Sequence, residues 1–126
     1  MARYPWLAPA VFILASCGKP TPKKLSDAID DCRIRAKATG GDYSAAFKVC
    51  LMDRHNVERK LADLLGEAEY WRDLMTYQRT AQERAESFKL YKTAMFLAQV
   101  RGADKAWVDS TVRRDSLTWI GRVAGR

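Results

Sequence analysis

The chain has 126 residues, one domain's worth, enough to bury a single core. It contains no internal repeat and no low-complexity block. Its formal charge of +7, from 22 lysines and arginines against 15 acidic residues, would invite a nucleic-acid partner in a cytosolic protein, a class the N-terminus argues against.

Ala2-Arg3 supplies a small positive start, and Trp6 to Ala15 form an almost unbroken apolar run with no further charge before Lys19. A membrane-crossing helix needs roughly twenty residues to span about 30 Å of hydrocarbon, so this run is too short for a permanent span. Pro5 and Pro9 also interrupt a continuous helix. The length is that of a signal-peptide core. The run closes on Leu14-Ala15-Ser16-Cys17, followed by Gly18 and Pro20. This pattern resembles the lipobox of bacterial lipoprotein precursors. Across residues 1–18 the resemblance implies cleavage before Cys17, a lipid on Cys17, and a membrane-anchored protein facing the periplasm. Gly18 stands where an inner-membrane retention signal would place aspartate, which favours the outer membrane. An uncleaved apolar N-terminus or an ordinary secretory peptide is the plainer alternative.

The expected organisation is a signal peptide at 1–16, a lipidated tether at 17–24, a helical domain at 25–120 and a frayed tail at 121–126. Loss of residues 1–16 removes Arg3 and no acid, lowering the charge from +7 to +6. Lys19 to Lys24, with two prolines and three lysines, reads as an extended spacer off the bilayer.

Export places Cys32 and Cys50 in an oxidising compartment, where a single intrachain pairing is available. A metal site would need more ligands. With His55 the only histidine and no closely spaced cysteine pair, none is expected. Leu25, Ala28, Ile29, Cys32 and Ala36 recur at helical spacing, predicting a helix over 24–38 with its acids early and its bases late. Gly40-Gly41 ends it, and Asp42 caps a second helix striped by Tyr43, Ala46, Phe47, Cys50 and Leu51. Folding back at the glycines brings Cys32 and Cys50 level, a stapled helical hairpin. Closing that loop should stabilise by about 3 kcal/mol.

A long helical region follows, with Asn56 as candidate cap and Val57, Leu61, Leu64, Leu65, Ala68, Trp71 and Met75 at three- and four-residue steps. Gly66 reads as a mild defect costing up to about 1 kcal/mol. Thr76 to Glu86 is polar, with Tyr77, Ala81 and Ala85 as the inward candidates, before Phe88, Tyr91, Met95 and Ala98 resume the stripe. The region is either one long central helix or two joined near Thr80. A continuous helix would leave its stripe partly exposed for a partner helix, from another copy among other sources. Arg101-Gly102 ends it, and Asp104 caps a last helix reaching about Ile120. No strand alternation competes, so the fold class is all-α, a small helical bundle.

Little in this pattern carries catalysis or a cofactor, and neither is expected. His55 is attractive as a general base but more ordinary as a surface or capping residue. Ser110 and Ser116 lack a nucleophile motif. Glu67 with Glu69, and Asp30 with Asp31, read as solvated helix faces. Gly40-Gly41 has no phosphate-binding spacing. Trp71, Trp107 and Trp119 read as core, with a groove or membrane-interface role as the alternative. The basic residues are scattered, consistent with solubility or with contact to anionic lipid or cell-wall polymer.

The expected function is therefore a non-enzymatic envelope lipoprotein, whose partners are the membrane through its lipid and an envelope protein or a second copy. No nucleic acid is expected. The layout is similar to that of secretion pilotins and of small lipoproteins associated with conjugation or phage lysis, in architecture alone. An anchored enzyme acting on cell-wall polymer, using His55 or Glu58, is the alternative, and a structural spacer the third.

Overall fold

The computed structural model describes residues 20–121, so Cys17, the lipobox-like segment and the tail 122–126 lie outside the described residues. Five helices run in order: α1 (Pro22–Thr39), α2 (Tyr43–His55), α3 (Arg59–Met75), α4 (Ala81–Val100) and α5 (Lys105–Ser116), the last widening into a π-helical turn at Leu117–Gly121. The described residues contain no strand, and none of their helices is long and apolar enough to cross a membrane.

Helix α1 begins two residues earlier than its apolar spacing implies, because Pro22 sits at the first helical positions and the Thr21 side chain accepts the Lys24 N–H at 3.1 Å. Its far end is closed by Gly40 in the left-handed region at φ 73°, a conformation glycine adopts without Cβ strain. Asp42 then caps α2, accepting the Ala45 N–H at 3.2 Å. The hairpin is the expected one, its stripes buried face to face and its cysteines joined with Cα atoms 5.6 Å apart.

The corner between α2 and α3 departs from expectation. Asn56 does not open α3; it closes α2 in the left-handed region at φ 54°, while the Val57 N–H reaches back to the Leu51 carbonyl at 3.0 Å. Asparagine tolerates that conformation better than most side chains, and Val57 buries its apolar group beside the cap. Glu58 opens α3 instead, its carboxylate accepting the Lys60 N–H at 2.7 Å. Gly66 is not a defect either. A Cβ there would lie 2.1 Å from Lys48 Cγ, so the missing side chain is what lets α2 close on α3, and the Ser44 hydroxyl donates to the Gly66 carbonyl across that contact.

The central region is two helices, not one. Thr80 and Glu83 form a reciprocal capping box at the start of α4. The Arg84 guanidinium donates to the Gln78 carbonyl, and the Ser87 hydroxyl to the Gln78 side chain at 2.9 Å, fixing the intervening turn. Tyr77, Ala81 and Ala85 consequently face solvent rather than the core, since the turn spends those positions on caps. Helices α3 and α4 form the most extensive pair in the fold. Arg101 and Gly102 end α4, and Asp104 caps α5 by accepting the Trp107 N–H at 3.0 Å. The Trp107 indole donates to Ser26 at 2.8 Å, tying α5 to α1. Trp71, Trp107 and Trp119 are half-buried against the core, the position expected of them.

Candidate functional site

Three arrangements concentrate chemistry in the bundle. The first lies beside the staple. Asp31 precedes Cys32 on α1, and His55 follows Cys50 by five residues on α2, so the hairpin that joins the cysteines also joins these two: Asp31 Oδ2 and His55 Nε2 are 2.8 Å apart. Arg35 donates to Asp31 Oδ1 at 2.9 Å, and Arg54 adds a contact to Oδ2 at 3.4 Å. The His55 hydrogen bond holds the Asp31 carboxyl down at about 2, Arg35 and Arg54 assisting against partial desolvation. His55 is therefore a partnered side chain at the end of α2. The Asp31 carboxylate, read from sequence as a solvated acid, is its partner.

The second arrangement was not foreseen. Glu69 is buried, with a side chain only 3% exposed, where its neighbour Glu67 is solvent-facing as expected. Arg33 Nε and Arg72 Nε each donate to Oε1 at 3.0 Å, Arg72 Nη2 donates to Oε2 at 2.9 Å, and the Tyr43 hydroxyl donates to Oε2 at 2.6 Å. Burial alone would push the Glu69 carboxyl up; the Arg72 hydrogen bond, the Arg33 and Arg72 charges and Tyr43 outweigh it and hold the carboxyl below its usual value. Desolvation and the adjacent carboxylate push Tyr43 far up, so it stays a donor. A neighbouring pair, the Tyr91 hydroxyl on Asp115, is also buried, and a cavity of about 60 Å³ opens between Arg33, Glu69, Tyr91, Thr111 and Arg114. Four donors occupy the lone pairs of the Glu69 carboxylate. Such a group clamps helices α1, α2 and α3 together and has no lone pair spare to accept a proton from a substrate. The signal was present in the sequence, because Glu69 and Arg72 stand one turn apart within the apolar stripe of Leu65, Ala68 and Met75.

The third is a surface. Helix α4 is apolar on both sides: Tyr91, Ala94, Met95 and Ala98 face the core, while Leu90, Phe96, Leu97 and Val100 lie along the opposite face, with Phe96 59% and Val100 66% exposed. Beside it a groove of about 470 Å³ runs between α4 and α5, lined by Phe88, Phe96, Val108, Val112 and Leu117 with Lys92 and Arg113 at its edge. A smaller groove of about 290 Å³ at the start of α1 collects His55 with Lys24 and Asp27.

Of the residues singled out from sequence, Cys32 and Cys50 are joined as expected, and Cys17 lies outside the described residues. No family model matches the chain, and neither a curated protein nor a solved structure matches it.

Proposed function

We propose that the chain is a lipoprotein of the bacterial envelope, anchored through a lipid on Cys17, most favourably in the outer membrane, and serving as a non-enzymatic helical module that binds or positions another envelope component. The observation that carries this reading is Leu14-Ala15-Ser16-Cys17 directly after a ten-residue apolar run, Trp6 to Ala15, near the N-terminus. The disulfide supports export, since such bonds persist in oxidising compartments. The outward apolar stripe of α4 supports a binding role, because a helix apolar on both sides has one side left for a partner, a second copy or another envelope protein. Scattered cations add affinity for anionic lipid or cell-wall polymer.

A photo-crosslinking side chain placed at Phe96 in the membrane-bound chain tests the binding role. The expected result is one discrete adduct, either of doubled mass or containing a second envelope protein, and none from the exposed position Asp53 on α2. Equal labelling from both positions, or none from Phe96, would overturn it.

One observation favours a second reading, an anchored enzyme acting on cell-wall polymer: the groove that gathers His55, Lys24 and Asp27. Release of soluble fragments from purified cell wall by the full chain, lost in His55→Gln, establishes that reading, and inert wall material dismisses it.

A further inference from the structure

The hairpin juxtaposes four metal-binding side chains that the disulfide now shares. The two Sγ atoms of Cys32 and Cys50, a carboxylate oxygen of Asp31 and a ring nitrogen of His55 all lie within 4.8 Å of one another. We propose that, when Cys32–Cys50 is reduced, these four side chains form a tetrahedral Zn²⁺ site, so that the hairpin has two alternative staples, one covalent and one metallic.

The donor set suits the ion. Two soft thiolates and one imidazole, beside a single carboxylate, favour borderline-soft zinc over magnesium or calcium. Zinc–ligand lengths of about 2.0–2.3 Å put the donors of a tetrahedral site about 3.3–3.8 Å apart. The four donors now lie within 4.8 Å of one another; opening the sulfur–sulfur bond lets the two Sγ atoms separate to that spacing across adjacent helices, and an ion entering between His55 and Asp31 widens their 2.8 Å contact by about half an ångström. The surroundings favour occupancy as well. Cys32 and Cys50 are buried, while His55 and Asp31 are partly exposed and give an ion its way in. Arg35 grips Asp31 Oδ1, the kind of outer contact that orients a ligand, while Oδ2 already touches His55 Nε2. Two thiolates, one carboxylate and Zn²⁺ sum to a single negative charge, which Arg35 and Arg54 more than offset.

The chemistry balances through a dithiol reductant. Exchange transfers two hydrogens to the protein disulfide, giving two thiols and leaving the reductant as its own disulfide. Zn²⁺ then replaces the two thiol protons, which pass to solvent, and where it takes Nε2 of His55 the hydrogen now shared with Asp31 Oδ2 moves through solvent to Nδ1, leaving the carboxylate to bind as the anion. The proposal goes beyond the anchoring reading and does not depend on it.

The test uses the full-length chain carrying Cys17→Ser, which removes the third thiol, reduced under anaerobic conditions with a phosphine and titrated with Co²⁺ as a spectroscopic stand-in. The expected result is one equivalent bound, with thiolate-to-cobalt charge transfer and the visible bands of tetrahedral Co²⁺, both abolished by added Zn²⁺ and absent from the oxidised chain. His55→Ala and Asp31→Asn should each weaken binding at least about tenfold. If reduction loosens the domain, Zn²⁺ should restore its helicity and melting temperature, since metal binding is then coupled to folding. Absence of charge transfer together with no gain in helicity or melting temperature overturns the proposal, and so does binding that both substitutions leave unchanged.

Discussion

Replacing Glu69 by glutamine probes the feature on which the packing of three helices converges. The substitution keeps the shape but removes the charge that Arg33 and Arg72 both face, and it puts an amide NH₂ where one carboxylate oxygen accepted hydrogen bonds. Breaking a fully buried ion pair costs about 3–5 kcal/mol. Here the Arg33 side chain is 25% exposed and Arg72 14%, so water relieves part of the isolated charge, and Asp115 still acts on Arg72. The lower end applies, about 3 kcal/mol. For a domain of this size that is a fall of roughly 12–24 °C in melting temperature. The substitution also changes the response to acid. The folded Glu69 carboxyl sits below its unfolded value of 4.5, so its contribution is fully present above that pH and is lost as pH falls through the folded value. Urea unfolding of the wild type and of Glu69→Gln, repeated from pH 7 down to pH 3, measures both effects. The two curves should converge as the pH falls. A constant gap, or a loss under about 1 kcal/mol at pH 7, would refute a charge-centred clamp.

Other substitutions test other links. Cys50→Ser opens an 18-residue separation and should lower stability by about 3 kcal/mol, read by calorimetry; unchanged melting would sink the stapled hairpin as a stabilising element. Gly66→Ala should destabilise by about 1–3 kcal/mol through its collision with Lys48, although alanine is the better helix former. In a Lys48→Ala background the same change should become neutral or stabilising, and an unchanged loss there would place the strain elsewhere. Thr80→Ala should cost about 1 kcal/mol by dissolving the capping box of α4, with amide exchange accelerated at Glu83 and Arg84 rather than across the bundle.

Local chemistry with short reach was legible in the sequence. The Gly40 stop, the Asp42 and Asp104 caps, the α1 and α2 stripes and the pairing of Cys32 with Cys50 each follow from residues within one or two turns of the feature they set. Asn56 misled because an asparagine between helices can begin the next or close the last, and only the backbone turn decides between them. Gly66 and Glu69 misled for a different reason. Gly66 is explained by Lys48 on another helix, and the Glu69 clamp needs Arg33 and Tyr43 from two other helices besides Arg72 on its own, so periodicity within α3 places Glu69 and Arg72 on the buried stripe without showing which neighbours meet them. The His55–Asp31 contact is a different case and was legible, because the hairpin register that levels the cysteines also levels these two.

Anchoring through Cys17 can be read from the intact mass of the protein recovered from bacterial membranes, alongside Cys17→Ala and with and without reductant. The expected mass is that of residues 17–126 plus acyl chains, rising by about two daltons on reduction as the Cys32–Cys50 disulfide opens. The Cys17→Ala chain should carry no lipid. An unmodified chain that still contains residues 1–16 and shows no such rise would contradict both the anchor and the oxidising compartment, and would return the basic surface to consideration as a contact for nucleic acid or the inner leaflet.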